Sequence, residues 1–221
     1  MLIFCQEDGK KVAQNLSKDT PRKRRKPMQA RSLERVNRIL DVATEMFIEP
    51  GYAATTTKAI AAQAKLPIGS LYQFFPDKAA ILQALAERYS GLLYQRFEAL
   101  DTLETAQLPL ADYVDRLINV SEQFFGEYPG YYAIFMEVQG TMPEVDNAID
   151  ANLIQILARQ LPKRYPSLNA EDYEAIAFVL IKAMGNLLWL SLGQTADFHQ
   201  RLLIEAKRLT FNYLQSYSAM R

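Results

Sequence analysis

The sequence predicts an all-α fold, in which a small amino-terminal module of three helices precedes a larger helical domain. Apolar residues recur at intervals of three and four from Leu33 onward, which is the period of an amphipathic helix. Prolines and a Pro-Gly pair divide this pattern into separate segments. The chain has 221 residues, of which 49% are hydrophobic and 23% charged. This composition excludes a collagen-like, low-complexity or broadly disordered polypeptide.

The single cysteine and the single histidine limit the available chemistry. Cys5 has no partner for an internal disulfide, and together with His199 it leaves no ligand set for a zinc site. We therefore expect no metal and no cofactor, and a reducing, cytoplasmic setting is favoured. The longest apolar run, Ala175 to Leu192, carries Lys182 and Asn186 at its middle, where both would be costly in lipid. This run is expected to be a buried helix, and no membrane partner is expected.

The net charge of zero hides an uneven distribution. Through Lys78 the chain holds 14 Lys and Arg against 8 Asp and Glu, whereas the remainder holds 11 against 17. Much of the basic excess lies in the block Arg22–Lys26, which three further arginines follow. Residues 1–30 are expected to form a basic, disordered arm. Attraction to nucleic acid is the leading interpretation of such an arm, although basic tails also serve solubility or contact acidic lipid.

The module spanning residues 31–76 is predicted to begin with two helices. The first runs from Leu33 to Pro50-Gly51, because proline cannot continue the hydrogen-bond ladder and glycine tolerates a positive φ. The hydroxyls of Thr55 to Thr57 can cap a second helix, Lys58 to Ala64. This second helix is about two turns long.

A third short helix is predicted from Pro67 to Phe74. The fixed φ of Pro67 suits the first helical position, and Pro76-Asp77 ends this helix and caps a fourth. Two short helices joined by a tight turn form a helix-turn-helix unit, whose second helix can enter a DNA major groove. Because such short helices are marginal alone, a shared core must hold them together. The expected core residues are Val36, Leu40, Phe47, Ile60, Leu66, Leu71 and Phe75.

The amino-terminal module resembles a known family over residues 31–82. The matching positions are Ile39-Leu40, Ala43, Phe47, Gly51-Tyr52, Thr55-Thr56, Ile60-Ala61, Gly69 to Tyr72, Phe75 and Lys78. In these residues the chain is similar to the amino-terminal domain of TetR-type (tetracycline-repressor-like) transcriptional regulators. The resemblance implies a DNA-binding domain at residues 31–76 and a helical ligand-binding and dimerisation domain at residues 77–221. It also implies a dimeric repressor that binds a palindromic operator and releases it when a small molecule binds.

The resemblance places the start of the recognition helix, Pro67 to Ser70, against the edges of the DNA bases. Gly69 permits close approach to the duplex, Ser70 offers a donor and an acceptor, and Ile68 can rest on a thymine methyl group. Gln73 is the best candidate for a specific hydrogen bond. Since these residues cannot make the bidentate arginine–guanine contact, DNA shape is expected to contribute to specificity. Ordinary packing of Ile68 and a solvated or phosphate-facing Gln73 are the alternatives.

The resemblance implies phosphate contacts for Thr57, Tyr72 and Lys78, which set register rather than sequence choice. A half-buried core position is the alternative for Tyr72. Two residues depart from the family pattern. Lys65 stands where the family usually has glycine, so it needs a left-handed conformation or a different turn, and it could gain a phosphate contact. Phe74 stands where the family often has histidine, so one phosphate hydrogen bond is expected to be missing.

The carboxy-terminal domain is rich in aromatic side chains. A long helix from Asp77 is expected to connect the two domains, and several of the aromatic residues beyond it could line a cavity for an apolar or aromatic compound. Packing in the core is the alternative for each of them. His199 has no partner apparent in the sequence, so a solvated or hydrogen-bonded histidine is expected. The candidate pocket residues are Tyr131, Phe135, Met136 and Trp189, with Arg116, Glu137 and Gln139 as candidate polar groups.

The last two predicted helices, Ala170 to Leu192 and Asp197 to Tyr217, are apolar on more than one face. One face can be buried internally and another against a twofold-related copy, which predicts a four-helix dimer interface. A monomer with a thick core is the alternative. Glu171 and Asp172 are expected to cap the first of these helices rather than to hold a metal. The candidate interface residues are Ala177, Leu180, Ile181, Met184, Leu188, Leu203, Ala206, Thr210 and Leu214.

The leading hypothesis is therefore a ligand-responsive repressor, with double-stranded DNA, a small-molecule effector and a second copy of the chain as its partners. A DNA-binding architectural or complex-forming protein without small-molecule control is the alternative. An enzyme or a carrier is disfavoured, because the sequence contains no nucleophile–base pair, phosphate-binding loop or metal spacing.

Overall fold

The structure, a computed structural model, describes residues 25–218, with side chains from Ala30 onward. Residues 1–24 of the predicted arm lie outside the described residues, and so do the side chains of the whole basic block Arg22–Lys26. The described residues form helices and contain no strand, as predicted. The helices are α1 (Arg25–Met46), α2 (Thr57–Gln63), α3 (Ile68–Tyr72), α4 (Lys78–Glu98), α5 (Leu103–Gln107), α6 (Leu110–Glu127), α7 (Gly130–Thr141), α8 (Pro143–Arg164), α9 (Ala170–Val179), α10 (Asn186–Ser191) and α11 (Ala196–Ser218).

The first helix begins earlier than its predicted start at Leu33, since α1 starts at Arg25, and residues 25–30 of the predicted disordered arm are therefore helical. Among the described residues, those from 25 to 35 and those from Val36 onward fall into two separate units. The division predicted between residues 76 and 77 remains a prediction from the sequence.

The end of the first helix is set by Pro50 and Gly51, as predicted. After α1 the chain continues through a π-helical turn, Phe47–Gly51, and Gly51 has a φ of +86°. The buried hydroxyl of Thr55 lies 2.9 Å from the carbonyl oxygen of Met46 and 2.8 Å from that of Gly51. Its single O–H donates to one of these carbonyls or is shared between them, and so holds the exit of the chain toward α2.

Side-chain caps start the next helices at the predicted places. The Thr56 hydroxyl accepts from the Ala59 amide at 3.1 Å at the start of α2, and the Asp77 carboxylate accepts from the Ala80 amide at 2.7 Å at the start of α4. Pro67 precedes α3 rather than beginning it, because its ψ of 138° is not helical. Of the predicted core residues, Leu40, Phe47, Ile60, Leu71 and Phe75 are buried, and Val36 and Leu66 are half-buried against them.

Local capping also explains the acidic residues that open α9. The Asn169 side chain accepts from the Asp172 amide at 2.9 Å, and the Asp172 carboxylate accepts from the Asn169 amide at 3.3 Å. This reciprocal capping box gives the carboxylate a structural role. Within residues 25–218 there is no group of three or more His, Cys, Asp or Glu side chains that could hold a metal ion.

A π-helical segment, Leu180–Gly185, joins α9 to α10, so that one continuous helical element runs from Ala170 to Ser191. By length and composition this element is apolar enough to cross a membrane, but 44% of its most apolar window is buried inside the protein. Its inner face packs in the core. This agrees with the expectation of a buried helix, which was based on the cost of placing Lys182 and Asn186 in lipid.

Candidate nucleic-acid interface and internal cavity

The outer face of α3 is open to solvent while its inner face is anchored. Leu71 is completely buried, whereas Ile68 is exposed and Ser70 is half-buried. At Gly69 an added Cβ would meet no atom within 4 Å, so the backbone there borders open space. Gln73 is exposed at the end of the helix. These side chains form a shallow surface that a duplex could approach closely.

The turn between α2 and α3 contains the one non-glycine residue with a positive φ among the described residues, Lys65 at +56°. Of the two alternatives that the sequence left open at Lys65, the left-handed conformation is therefore present and the different turn is not. Its backbone amide donates to the Ala62 carbonyl at 3.1 Å, and the Leu66 amide donates to the Ala61 carbonyl at 2.9 Å. These bonds hold a conformation that is unfavourable by about 1–2 kcal/mol for a residue with a Cβ. The Lys65 side chain is exposed beside α3.

A pair of hydroxyl groups links the two helices on the same side. The Tyr72 hydroxyl lies 3.2 Å from the Thr57 hydroxyl, and Tyr72 is 49% exposed. Lys58, which the sequence analysis did not single out, is exposed next to Thr57. Each hydroxyl can bond its neighbour and still present a donor or an acceptor outward. The pair is a pre-arranged polar ridge of the kind that contacts phosphates.

Lys78 differs from the expectation that its side chain contacts a phosphate. Its ammonium group donates to the Tyr52 carbonyl at 2.6 Å and to the Thr55 carbonyl at 2.9 Å, and it lies 4.1 Å from the centre of the Tyr52 ring. Two of its three N–H donors are thus used within the chain. The side chain ties the start of α4 to the loop before α2. Phe74 is half-buried against the core and offers no hydrogen bond to a phosphate, as expected.

The carboxy-terminal helices enclose a small cavity of about 70 Å³. Tyr131, Phe135 and Trp189 all line it, and Gln139 contributes a polar group. Met136 does not line it, because this residue lies on the outer face of α7, where it is 46% exposed. The other two candidate polar groups are also absent from the cavity wall. They are Arg116, which donates to the Thr105 hydroxyl at 3.4 Å, and Glu137.

The aromatic walls of the cavity pack closely. The ring centres of Tyr131 and Phe135 are 4.2 Å apart, and those of Tyr131 and Trp189 are 5.4 Å apart with nearly perpendicular planes. Burial, and then the charges of Asp150 and Asp146, raise the pKa of the Tyr131 hydroxyl, so it stays neutral. The indole N–H of Trp189 is buried and has no hydrogen-bond partner within the described part of the chain.

The cavity is also lined by two carboxylates that were not predicted from the sequence, those of Asp146 and Asp150. Asp150 forms an ion pair with Lys182. Burial, and then the charge of Asp150, raise the pKa of Asp146, while Lys182 opposes this shift. A signal was present in the sequence, because two aspartates four residues apart share one face of a helix and destabilise it by repulsion.

His199 has partners that its sequence neighbourhood did not reveal. Its Nδ1 lies 2.9 Å from the Ser191 hydroxyl and its Nε2 lies 3.0 Å from the Glu122 carboxylate. A serine, a histidine and an acid are the components of a hydrolase triad. Ser191, however, is completely buried and donates to the Leu188 carbonyl at 2.5 Å, so no substrate can reach it. This cluster joins α6, α10 and α11 as a structural network.

The predicted dimer-interface residues lie on the wrong face for that role. All nine are buried within a single chain, where a second copy cannot reach them. The opposite face of the same helices carries exposed apolar side chains, such as Phe178, which is 52% exposed, and Ile204, which is 57% exposed. The further members of this outward apolar face are Val179, Leu190, Phe198 and Leu209. Both faces of these helices are apolar, so helical periodicity did not distinguish them.

The exposed α3 surface and the all-helical architecture define a helix-turn-helix regulator, and comparison with known proteins agrees. Residues 39–85 match the family model of bacterial regulatory proteins of the tetR family, and residues 109–214 match the model of the tetracyclin repressor-like carboxy-terminal domain. The chain belongs to the TetR family of transcriptional regulators. It is a DNA-binding regulator and not an enzyme.

Individual relatives agree with this family. The HTH-type transcriptional regulator YhgD of Bacillus subtilis is 27% identical over 157 residues, which cover 68% of this chain and 81% of YhgD. The HTH-type transcriptional repressor KstR of Rhodococcus jostii is 39% identical over 60 residues, 27% of this chain and 28% of KstR. A TetR-family regulator from Pectobacterium atrosepticum has the same fold, with a TM-score of 0.63 and 18% identity over 82% of this chain and 92% of its own.

Proposed function

We propose that this protein is a cytoplasmic dimeric repressor that binds a palindromic operator through α3 and releases it when a small molecule occupies the internal cavity. The observation that carries the DNA-binding part is the open surface at Ile68 and Gly69, flanked by the Thr57–Tyr72 hydroxyl pair. Small side chains and exposed hydroxyls allow a backbone to approach base edges and phosphates together.

The outward apolar face of α9 to α11 supports dimerisation. Several large apolar side chains exposed on neighbouring helices indicate an interaction surface. A second copy is its proposed occupant, since identical faces can meet about a twofold axis. Such a dimer presents two α3 helices to successive major grooves about 34 Å apart, which requires an operator with matching half-sites.

A close contact between helices supports control of DNA binding by the cavity. At Gly130, the first residue of α7, an added Cβ would lie 2.7 Å from the Thr44 Cγ2 atom of α1 and 2.9 Å from the Tyr89 hydroxyl of α4. The next residue, Tyr131, lines the cavity. A ligand that displaces the Tyr131 ring therefore moves the helix end that touches both α1 and α4. Because the effector and the operator bind different arrangements of these helices, the binding of either one lowers the affinity for the other by the same factor.

The small volume of the cavity favours a second candidate, a DNA-binding protein without small-molecule control. A cavity of about 70 Å³ is well below the roughly 300–1,000 Å³ of sites for drug-sized ligands, so an effector must enlarge it. Only the first candidate predicts that a compound changes operator binding.

The test begins with selection of genomic fragments by the purified protein. Fluorescence anisotropy then compares the selected operator with a scrambled duplex at about 0.2 M salt, where non-specific binding is weak. Sedimentation should give a dimer, and the operator should bind far more tightly than the scrambled sequence. A monomer, or equal affinity for both duplexes, would refute the DNA-binding proposal. Operator titrations with a compound library then separate the two candidates.

A further inference from the structure

The charges around the internal cavity are of one sign. Asp146 and Asp150 line it, and within the described residues its wall includes no lysine, arginine or histidine. Lys182 pairs with Asp150 from outside the wall. Among the described residues, no cationic group lies within 4 Å of the Asp146 carboxylate, so this carboxylate faces the cavity without a direct counterion.

The remaining walls suit a cation as well. The rings of Tyr131 and Trp189 stand nearly perpendicular to each other, with their centres 5.4 Å apart, and Phe135 closes a third side. Aromatic faces attract cations through their quadrupoles, and such cages recognise quaternary ammonium groups.

A second cavity provides room for the rest of such a ligand. It has a volume of about 270 Å³ and shares Phe125 and Tyr131 with the first. These two rings stack with their centres 5.4 Å apart and form the partition between the two spaces. Rotation of the Tyr131 ring would join the two cavities. Tyr131 is the residue after Gly130, whose backbone packs against α1 and α4.

We propose that the effector is a lipophilic organic cation, whose positive head lies between the Asp146 carboxylate and the rings of Tyr131 and Trp189. Its apolar body extends past Phe125 into the second cavity. This inference rests on the proposed function and names the chemical class of its effector. The raised pKa of Asp146 agrees with it, because a charged carboxylate in an apolar wall becomes more favourable when a cation binds beside it.

Other ligand classes fit less well. An anion would be repelled by both carboxylates. A metal ion would find two carboxylates, and within the described residues no third ligand of the His, Cys, Asp or Glu type joins them. A neutral apolar compound would fit the rings but would leave the Asp146 charge without compensation.

The experiment compares benzyltrimethylammonium with neopentylbenzene, which has the same shape but no charge. Trp189 is the only tryptophan in the sequence, so intrinsic tryptophan fluorescence reports directly on the cavity. Titrations use the full-length protein, the Asp146→Asn variant and a matched control, Glu144→Gln, which removes one charge from the same helix outside the cavity. Thermal melting checks that each variant is folded.

The unaltered protein should bind the cation about tenfold more tightly than the neutral compound. Asp146→Asn should remove this preference, whereas Glu144→Gln should keep it. Equal binding of the two compounds, no fluorescence response to either, or a preference that survives in Asp146→Asn would overturn the inference. If Asp146→Asn does not fold, the comparison of the two compounds on the unaltered protein decides.

Operator binding is measured in parallel to separate this inference from the proposed function. Cation binding at the cavity without operator release would refute effector control and leave the assignment of the cation site intact. Operator release by neutral compounds, with no preference for the cation, would refute the cation site and leave effector control intact.

Discussion

Replacement of Lys78 by methionine tests whether this side chain holds the DNA-binding module together or contacts the operator. Methionine keeps most of the aliphatic stem but removes the ammonium group, which donates to the Tyr52 and Thr55 carbonyls at 2.6 and 2.9 Å. The loop between α1 and α2 then loses its connection to α4. We expect lower stability and, as a consequence, a poorly positioned α3.

The magnitude follows from the contacts that are lost. A hydrogen bond from a charged donor contributes about 1.5–3 kcal/mol when well buried, and an exposed cation–π contact about 0.5–1 kcal/mol. Because the Lys78 ammonium is only partly buried, the lower ends of these ranges apply. Two hydrogen bonds at about 1.5 kcal/mol each and one cation–π contact at about 0.5 kcal/mol give an expected loss of about 3.5 kcal/mol in the free energy of unfolding.

The assay is urea unfolding followed by circular dichroism, at one fixed protein concentration because the proposed dimerisation would add to stability. Lys65→Met is the matched control for stability alone, since Lys65 is an exposed lysine of the same module and is itself a candidate phosphate contact. Its stability should change by less than about 0.5 kcal/mol. The salt dependence of operator binding is measured for both variants. If Lys78→Met is as stable as the control and its log–log salt slope falls by about one unit, the side chain contacts a phosphate and the structural role is wrong.

Three further substitutions test the DNA surface, the helix contact and the dimer face. Tyr72→Phe should weaken operator binding by about 1 kcal/mol with little change in specificity; equal affinities in anisotropy titrations would reject a phosphate role. Gly130→Ala should lower stability by about 1–3 kcal/mol and change operator affinity, whereas Gly140→Ala in the same helix, with open space around it, should do neither. Ile204→Arg should give monomers in sedimentation, unlike Leu103→Arg on α5, and a dimer that survives would exclude this face.

Local chemistry explains why the sequence predicted the helix boundaries well. The caps at Thr56, Asp77 and Asn169 involve groups three residues apart, and the end of the first helix depends on Pro50-Gly51 alone. Interactions of this range are visible in the sequence. At Lys65 the sequence left a left-handed conformation and a different turn open, because a lysine disfavours the positive φ that a glycine would adopt there.

The features that the sequence did not reveal have a different physical origin, since they depend on contacts between distant segments. Lys78 reaches carbonyls of residues 23 and 26 positions earlier, and His199 meets a carboxylate on α6 that is 77 positions away. Helical spacing identified two apolar stripes on the last helices but contained no information about which stripe faces inward. Met136 was misplaced in the same way, because one step along α7 separates the cavity wall at Phe135 from the outer surface.

Three locally unfavourable features meet around the internal cavity. They are the Asp146 carboxylate with its raised pKa, the unpartnered N–H of Trp189, and the π-helical segment Leu180–Gly185. Features of this kind are common at functional sites, where binding uses them. The π-helical segment lines the cavity on its inner side and continues outward into the apolar face around Phe178. Under the proposed function, a ligand that rearranges this segment therefore changes the cavity and the dimer face together, which couples occupancy of the cavity to the spacing of the two α3 helices.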